Sequence, residues 1–422
     1  MLRNSQTGVV LALLFAASMW FYVARILVPY QRADAVAHQR PRGNLSDLYP
    51  RWLGARELLL HHLNPYSLEV TREIQVGYYG RELDPHYERD PKDQQAFAYP
   101  AYVAFLLAPT LGLPFEAVMT GFKWVLILLT ATSVLLWLRT VDWHPDVAMK
   151  SILLILTLGS FPAIQGFKLQ QLSLVVAGLV AGSAALLVSK HFFAAGILLS
   201  LSTIKPQLVL PLMLCLLLWT VSDWSHRQRF FWGFVLGMAA LVGGAEIVLP
   251  GWIGDFLAAT RDYRRYTGGK SLLDTLLSPS VGRVAALAAL LLLLAVAWRF
   301  RRAELGSREF SLLLATTLAI TLIVIPMFAP YNQLLLLPAI LLVVREWPEL
   351  WKNGALSKAA CVLTVAIMGW PWFAALGLTL ASLTIPAASV ERGWAVPLYT
   401  SLGIPLVILA QLASLLARVE RD

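Results

Sequence analysis

Apolar blocks of membrane-spanning length recur along most of this chain, separated by short polar breaks. The first runs from Gly8 to Val28. Others lie at 97–108, 115–138, 147–165, 169–188, 192–221, 231–250, 281–300, 309–325, 331–345, 357–378 and 396–417. A helix crosses the hydrocarbon core with about 20 predominantly apolar residues. The pattern therefore predicts an all-α polytopic membrane protein, a single integral membrane domain over 1–422 with about 12 spans. The 97–108 block is short for a crossing. It is either a span joined to the next by a turn at Gly112-Leu113-Pro114 or a re-entrant segment.

The largest polar interruption covers 29–96 and reads as the first extracytoplasmic loop. Asn44, Ser46 and Asp47 supply helix-capping chemistry, and Leu48, Trp52, Ala55 and Leu59 follow at helical spacing. Arg51 and Arg56 fall outside that stripe, and Asn64-Pro65 ends it. Trp and Arg on a helix beside a span predict an amphipathic helix in the lipid–water interface. Asp47 then sits at its first turn, as a cap or as a functional carboxylate. A second helix is expected near Val70–Tyr79, followed by an irregular loop from Asp84 to Pro91.

Three smaller interruptions carry chemistry. Lys205-Pro206-Gln207 breaks the 192–221 block, and a lysine beside a helix breaker at membrane depth needs a cavity or an anionic partner. The second extracytoplasmic loop, 251–280, holds Arg264, Arg265 and Gly268-Gly269-Lys270-Ser271, a basic, glycine-rich set suited to phosphate. It lacks the glycine spacing of a Walker loop, since Arg264 stands where one is required. The third, 326–333, places Tyr331 and Asn332 in an otherwise apolar stretch.

The composition agrees, with 58% hydrophobic and 14% charged residues and a mean hydropathy of +0.65. The net charge of +9 gathers at block ends, as in His226-Arg227-Gln228-Arg229, Arg299-Phe300-Arg301-Arg302, Lys352 with Lys358, and Arg418 with Arg421. That is a topological pattern and not a nucleic-acid surface. It puts the polar loops above outside, in a multi-pass protein of the inner (plasma) membrane. Gly8–Val28 exceeds a signal-peptide core, and Ala35-Val36-Ala37 lies well beyond it, so a retained helix is expected. Asn44-Leu45-Ser46 matches a glycosylation sequon without weight. Cys215 and Cys361 lie far apart in apolar blocks and make no disulfide framework or thiol metal site.

Four stretches together resemble the bacterial membrane glycosyltransferases related to polyprenol-dependent mannosyltransferases, glycosyltransferase family 87 of GT-C architecture. Asp47 followed by Trp52, Ala55 and Asn64-Pro65-Tyr66 resembles that family's D…A…G-x-P-Y stretch. Phe97-Ala98-Tyr99-Pro100 with Pro109, Gln171-Leu172-Ser173, and Lys205-Pro206 resemble its later motifs. Ala101 departs from a second proline, Gln170 from a glycine, and Gly269-Lys270-Ser271 from an N-Q-S. The resemblance implies transfer of a sugar, a mannose-like hexose or a pentose, from a polyprenyl-phosphate donor to a lipid or glycan acceptor on the outer face. It also implies Asp47 as the catalytic acidic residue. One carboxylate suffices as general base when the leaving group is a phosphate, unlike the paired carboxylates of glycosidases. Arg51, Arg56, Tyr66, Tyr99, Gln171, Lys205, Gln207, Arg264, Arg265, Lys270, Tyr331 and Asn332 are the candidate substrate contacts. Asp84, Glu88 and Asp90 compete with Asp47. There is no D-x-D and no metal-spaced histidine set, so a divalent cation is allowed but not called for. A transporter or flippase of lipid-linked sugars, or an oligosaccharide ligase or polymerase, are the alternatives. Paired interrupted repeats, common in transporters, are not evident.

Overall fold

The computed structural model describes residues 2–37, 46–84, 86–88 and 90–419, with side chains from Gln6 onward. Asn44, with its cap and sequon readings, Pro85 and Arg89 of the irregular loop, and Arg421 lie outside the described residues. Every element among those described is a helix.

Six helices are long and apolar enough to cross a membrane: Gln6–Ala37, Phe115–Thr140, Trp224–Val248, Pro279–Arg299, Gly354–Ala381 and Ala387–Val419. Their outward stripes are bare, as at Val284, Leu287, Leu291 and Leu294, which suits lipid contact. A seventh crossing arises if Val147–Leu158 and Phe161–Lys168, bent by 51°, count as one. The other apolar blocks resolve into shorter helices, Leu172–Val188, Phe192–Ser202, Pro206–Val221 and Pro330–Arg345. The 97–108 block holds only the five-residue helix Val103–Leu107 and a 3-10 turn, so it is no helical span. At the centre is Arg308–Val324, buried without interruption from Phe310 to Ile323.

The first helix does not stop at Pro29. It continues to Ala37 through a π-helical turn at Val23–Leu27, which widens the coil just where the proline ring would meet the preceding turn. The second loop is largely helical too, as Trp252–Thr267 and Leu272–Leu276.

The helix over Tyr49–His61 corrects a sequence expectation. It does not lie bare in an interface: Pro50 through Ala55, Glu57 and Leu58 are all buried. Gly54 faces the Phe97 ring and Gly77 faces Tyr49, so small residues let neighbouring segments close over it. Its end is also earlier than Asn64-Pro65, with His62 in the left-handed conformation. The Leu68–Tyr79 helix follows as expected, capped by Ser67.

The break in the 192–221 block is real. Phe192–Ser202 ends, Lys205 is held extended ahead of its proline, and Pro206 opens the next helix at a position needing no N–H. Tyr102 donates its hydroxyl to the freed Thr203 carbonyl at 2.9 Å. Nearby, Gly196 and Gly233 bring two helix backbones so close that a methyl group on either would overlap the other chain.

Candidate active site

The three polar interruptions meet the Lys205 break around one cavity of about 400 Å3. Asp47 and Arg51 come from the first, Asp93 and Gln95 from its far end, Tyr99 from the start of the block that follows it, and Thr260, Tyr263 and Arg264 from the second loop. Tyr331 and Asn332 come from the third, and Gln171, Lys205 and Gln207 from two helix starts.

Asp47 is held from both sides of its own peptide. Its N–H donates to the Leu169 carbonyl at 3.0 Å, and its carbonyl accepts from Arg51 Nη1 at 2.8 Å. Its carboxylate does not cap the helix, which has no side-chain cap at all. Oδ2 instead accepts a hydrogen bond from Gln171 Nε2. The Gln171 Oε1 accepts from Lys205 Nζ at 3.0 Å, and the same ammonium donates to Ser173 Oγ at 2.8 Å. Ammonium only donates and carboxylate only accepts, so the amide between them has one consistent orientation.

Burial raises the Asp47 carboxyl above its ordinary range, against the opposing pull of Arg51 and Lys205; Asp93 adds to the rise and the Gln171 bond reduces it. Burial would raise the Tyr99 hydroxyl as well, but Lys205 and Arg51 outweigh it and lower it. The Arg51 guanidinium lies 4.6 Å from the Tyr99 ring centre. Lys205 Nζ stands 5.5 Å from both the Tyr99 and Tyr331 rings, an aromatic box around a cation.

The short helices matter here. Gln171 precedes Leu172–Val188 and Lys205 precedes Pro206–Val221, so two helix N-termini, each with partial positive charge, open on the cavity. Gln170 takes a left-handed backbone at φ 47° to turn between helices. Its side chain accepts from Ser46 Oγ at 2.7 Å and donates to the Phe167 carbonyl at 2.7 Å, clasping the residue before Asp47.

Four candidates lie outside the cavity lining. Tyr66 stands behind it, donating its hydroxyl to the Tyr99 carbonyl at 2.6 Å. Arg56 packs over Trp52 at 5.7 Å. Arg265 is exposed and pairs with Asp262 at 3.2 Å. Lys270 is exposed, and its carbonyl accepts from the Met327 N–H at 2.9 Å. The rival Asp90 is paired to Arg81, and Asp84 and Glu88 are exposed, away from the lining. Among the described residues no three of His, Cys, Asp and Glu converge as a metal would need. Asp93, Gln95, Thr260 and Tyr263 join the site without having been singled out, while Ser173, part of the Gln171-Leu172-Ser173 stretch, reaches it through Lys205. Asp93 and Gln95 carry no signal within a polar run.

A polar, cation-bearing cavity sunk among apolar helices is a site suited to a membrane enzyme or carrier. The model of glycosyltransferase family 87 matches residues 97–328. The chain belongs to glycosyltransferase family 87, and it is an enzyme, a transferase of glycosyl groups. The match includes Tyr99, Gln171, Lys205 and Arg264, whereas Asp47 and Asn332 lie outside it. No curated protein and no solved structure matches the chain.

Proposed function

We propose that the protein transfers a sugar from a polyprenyl-phosphate donor to a hydroxyl of a lipid or glycan acceptor, with Asp47 as general base. The observation that carries this reading is the chain Asp47–Gln171–Lys205, a raised carboxylate and a buried ammonium facing one cavity. The acceptor oxygen attacks the anomeric carbon while Asp47 takes its proton, and the carbon–oxygen bond to phosphate breaks, leaving its electron pair on the phosphate. Lys205, Arg51 and the two helix N-termini stabilise that leaving group, and the anomeric centre inverts.

Charge supports a single phosphate. The lining holds three cations, Arg51, Lys205 and Arg264, against two carboxylates, Asp47 and Asp93. One net positive charge matches a phosphodiester and under-compensates a diphosphate. The opposite end of the molecule supports an outward-facing site. Arg227 packs against Trp219, near the far end of the 16-residue Pro206–Val221 helix that starts at the cavity. Basic flanks and cavity are thus roughly 24 Å apart along that helix, which supports an outward-facing site. The same reading takes the scaffold as GT-C-like, the short broken helices counting with the long ones toward the dozen expected spans. A mannose-like sugar rests on the family resemblance alone.

The test is transfer by purified protein in detergent, from radiolabelled polyprenyl-phosphate sugars to extracted membrane lipids. Product from wild type and at least about a hundredfold less from Asp47→Asn is the expected result. Equal product from both would remove Asp47 as the base.

A further inference from the structure

The mechanism leaves several polar side chains of the cavity unused. Gln95 is 9% exposed and Asn332 7%. Both line the cavity, and neither carboxamide hydrogen-bonds to the protein among the described residues; the Asn332 Oδ1 is fully buried without a partner. Thr260 Oγ1, on the same lining, is likewise buried and unpartnered. Buried polar groups in folded proteins nearly always have partners, and each orphan here costs stability until something fills it.

Gln95 is also held there against its backbone preference. Its φ of 54° is the left-handed region that a glutamine rarely adopts. Asp93 Oδ1 fixes the turn by accepting the Gln95 N–H at 3.0 Å. The buried Gln75 secures the preceding residue, donating to the Gln94 carbonyl at 3.2 Å and side-chain oxygen at 3.0 Å. A strained residue whose neighbours over-determine it marks a place where the side chain's position matters.

Carboxamides offer a donor and an acceptor side by side, which is the pattern presented by adjacent hydroxyls of a sugar ring. They carry no charge, so they suit a neutral ring and leave the phosphate to Lys205 and Arg51. The Tyr263 and Tyr331 rings in the same lining supply apolar faces for ring C–H groups. We propose that Gln95 and Asn332, seconded by Thr260, form a subsite that reads the hydroxyl pattern of a neutral sugar ring. This rests on the glycosyl-transfer reading and names the residues that select the sugar. The ring belongs to the donor or to a glycan acceptor, since both present the same chemistry.

The experiment measures binding, so it stands apart from turnover. Full-length protein in detergent is titrated with prenyl phosphate alone, with prenyl-phosphate glucose, mannose and galactose, and with the corresponding methyl glycosides. Wild type is compared with Gln95→Met and Asn332→Leu. Wild type is expected to separate the epimers by about ten- to a hundredfold. The two variants should compress that spread to within about threefold while binding prenyl phosphate alone as wild type does. A spread confined to the prenyl-phosphate sugars assigns the ring to the donor; one confined to the methyl glycosides assigns it to the acceptor. Variants that keep the wild-type spread, or that lose prenyl phosphate as strongly as the sugars, overturn the subsite. If wild type ignores prenyl phosphate, the donor reading fails by itself. The methyl glycosides then still decide the subsite, and no epimer preference that the variants abolish overturns it.

Discussion

Asp47 and Lys205 are joined through the Gln171 amide and not by an ion pair. Gln171 donates to the carboxylate and accepts from the ammonium at 3.0 Å. A direct pair would satisfy both charges against each other. The intervening amide keeps them in one network while leaving each a free side toward the cavity, the base for a hydroxyl proton and the cation for a phosphate.

The first prediction concerns Asp47→Asn. General-base assistance accounts for about 10²–10⁴-fold in rate, so turnover should fall by that factor in a sugar-transfer assay. Stability should not fall with it. Burial raises the Asp47 carboxyl in the folded state, which means folding disfavours its charged form. Above the ordinary carboxylate value of about 3.9 the folded protein therefore carries a cost that a neutral amide lacks. The midpoint of thermal unfolding at neutral pH should be unchanged or higher, and a lower one would contradict the electrostatics described here.

The pH profile supplies a second. Asp47 must be ionised to act as base, so activity is lost as pH falls through its value, and the acid limb of kcat/KM should lie above the ordinary carboxylate range. Lys205 and the Gln171 bond both lower that value. Gln171→Leu removes the bond, so its acid limb should move to higher pH, with a smaller loss of rate at alkaline pH than at neutral pH. A profile displaced toward acid would show that Gln171 does not favour the ionised carboxylate.

Asp47 and Lys205 were legible because each breaks its local pattern, one as a carboxylate beside a helix start and the other as a lysine inside an apolar block. Gln95 was not, because its position depends on a left-handed backbone that glutamine does not advertise, at the end of a polar run that offers several equivalent side chains. The burial of Tyr49–His61 was misread for a related reason. Trp, Arg and Leu at helical spacing describe a helix in an interface and a helix enclosed by protein equally well; the enclosing residues, such as Phe97, come from another segment. The dozen apolar blocks were all visible, but block length does not tell a crossing from a short helix packed around a cavity. A glycine at position 170, which this chain lacks, would suit the positive φ found there.

That departure gives a third prediction. Gln170→Gly removes the side-chain bonds to Ser46 and Phe167 but relieves the left-handed strain, whereas Gln170→Ala removes the same bonds and keeps the strain. Each lost hydrogen bond is worth about 1 kcal/mol, and the left-handed conformation costs a non-glycine residue about 1–2 kcal/mol. Gln170→Ala should therefore be less stable than Gln170→Gly by about 1–2 kcal/mol, read from thermal unfolding of the two in the same detergent. Equal stabilities would mean that the backbone at residue 170 relaxes out of the left-handed region.

The last prediction sets two charge removals against each other at the phosphate. The lining has one net positive charge. Asp47→Asn raises it by one and Lys205→Met lowers it by one, so their effects on prenyl-phosphate affinity should have opposite signs. Asp47→Asn should bind prenyl phosphate at least as tightly as wild type. Lys205→Met also strips a donor from Gln171 Oε1 and one from Ser173 Oγ, and should bind it more weakly. Its turnover should fall by about 10²–10³-fold, the usual loss when one stabilising donor is taken from a developing anion. Increasing salt separates this from a general loss of structure. Lys205 is only 7% exposed, so screening reaches it poorly, and the gap between the two variants should persist at high ionic strength. A gap that closes with salt would mean that the phosphate is held at the exposed Arg264 and not at Lys205.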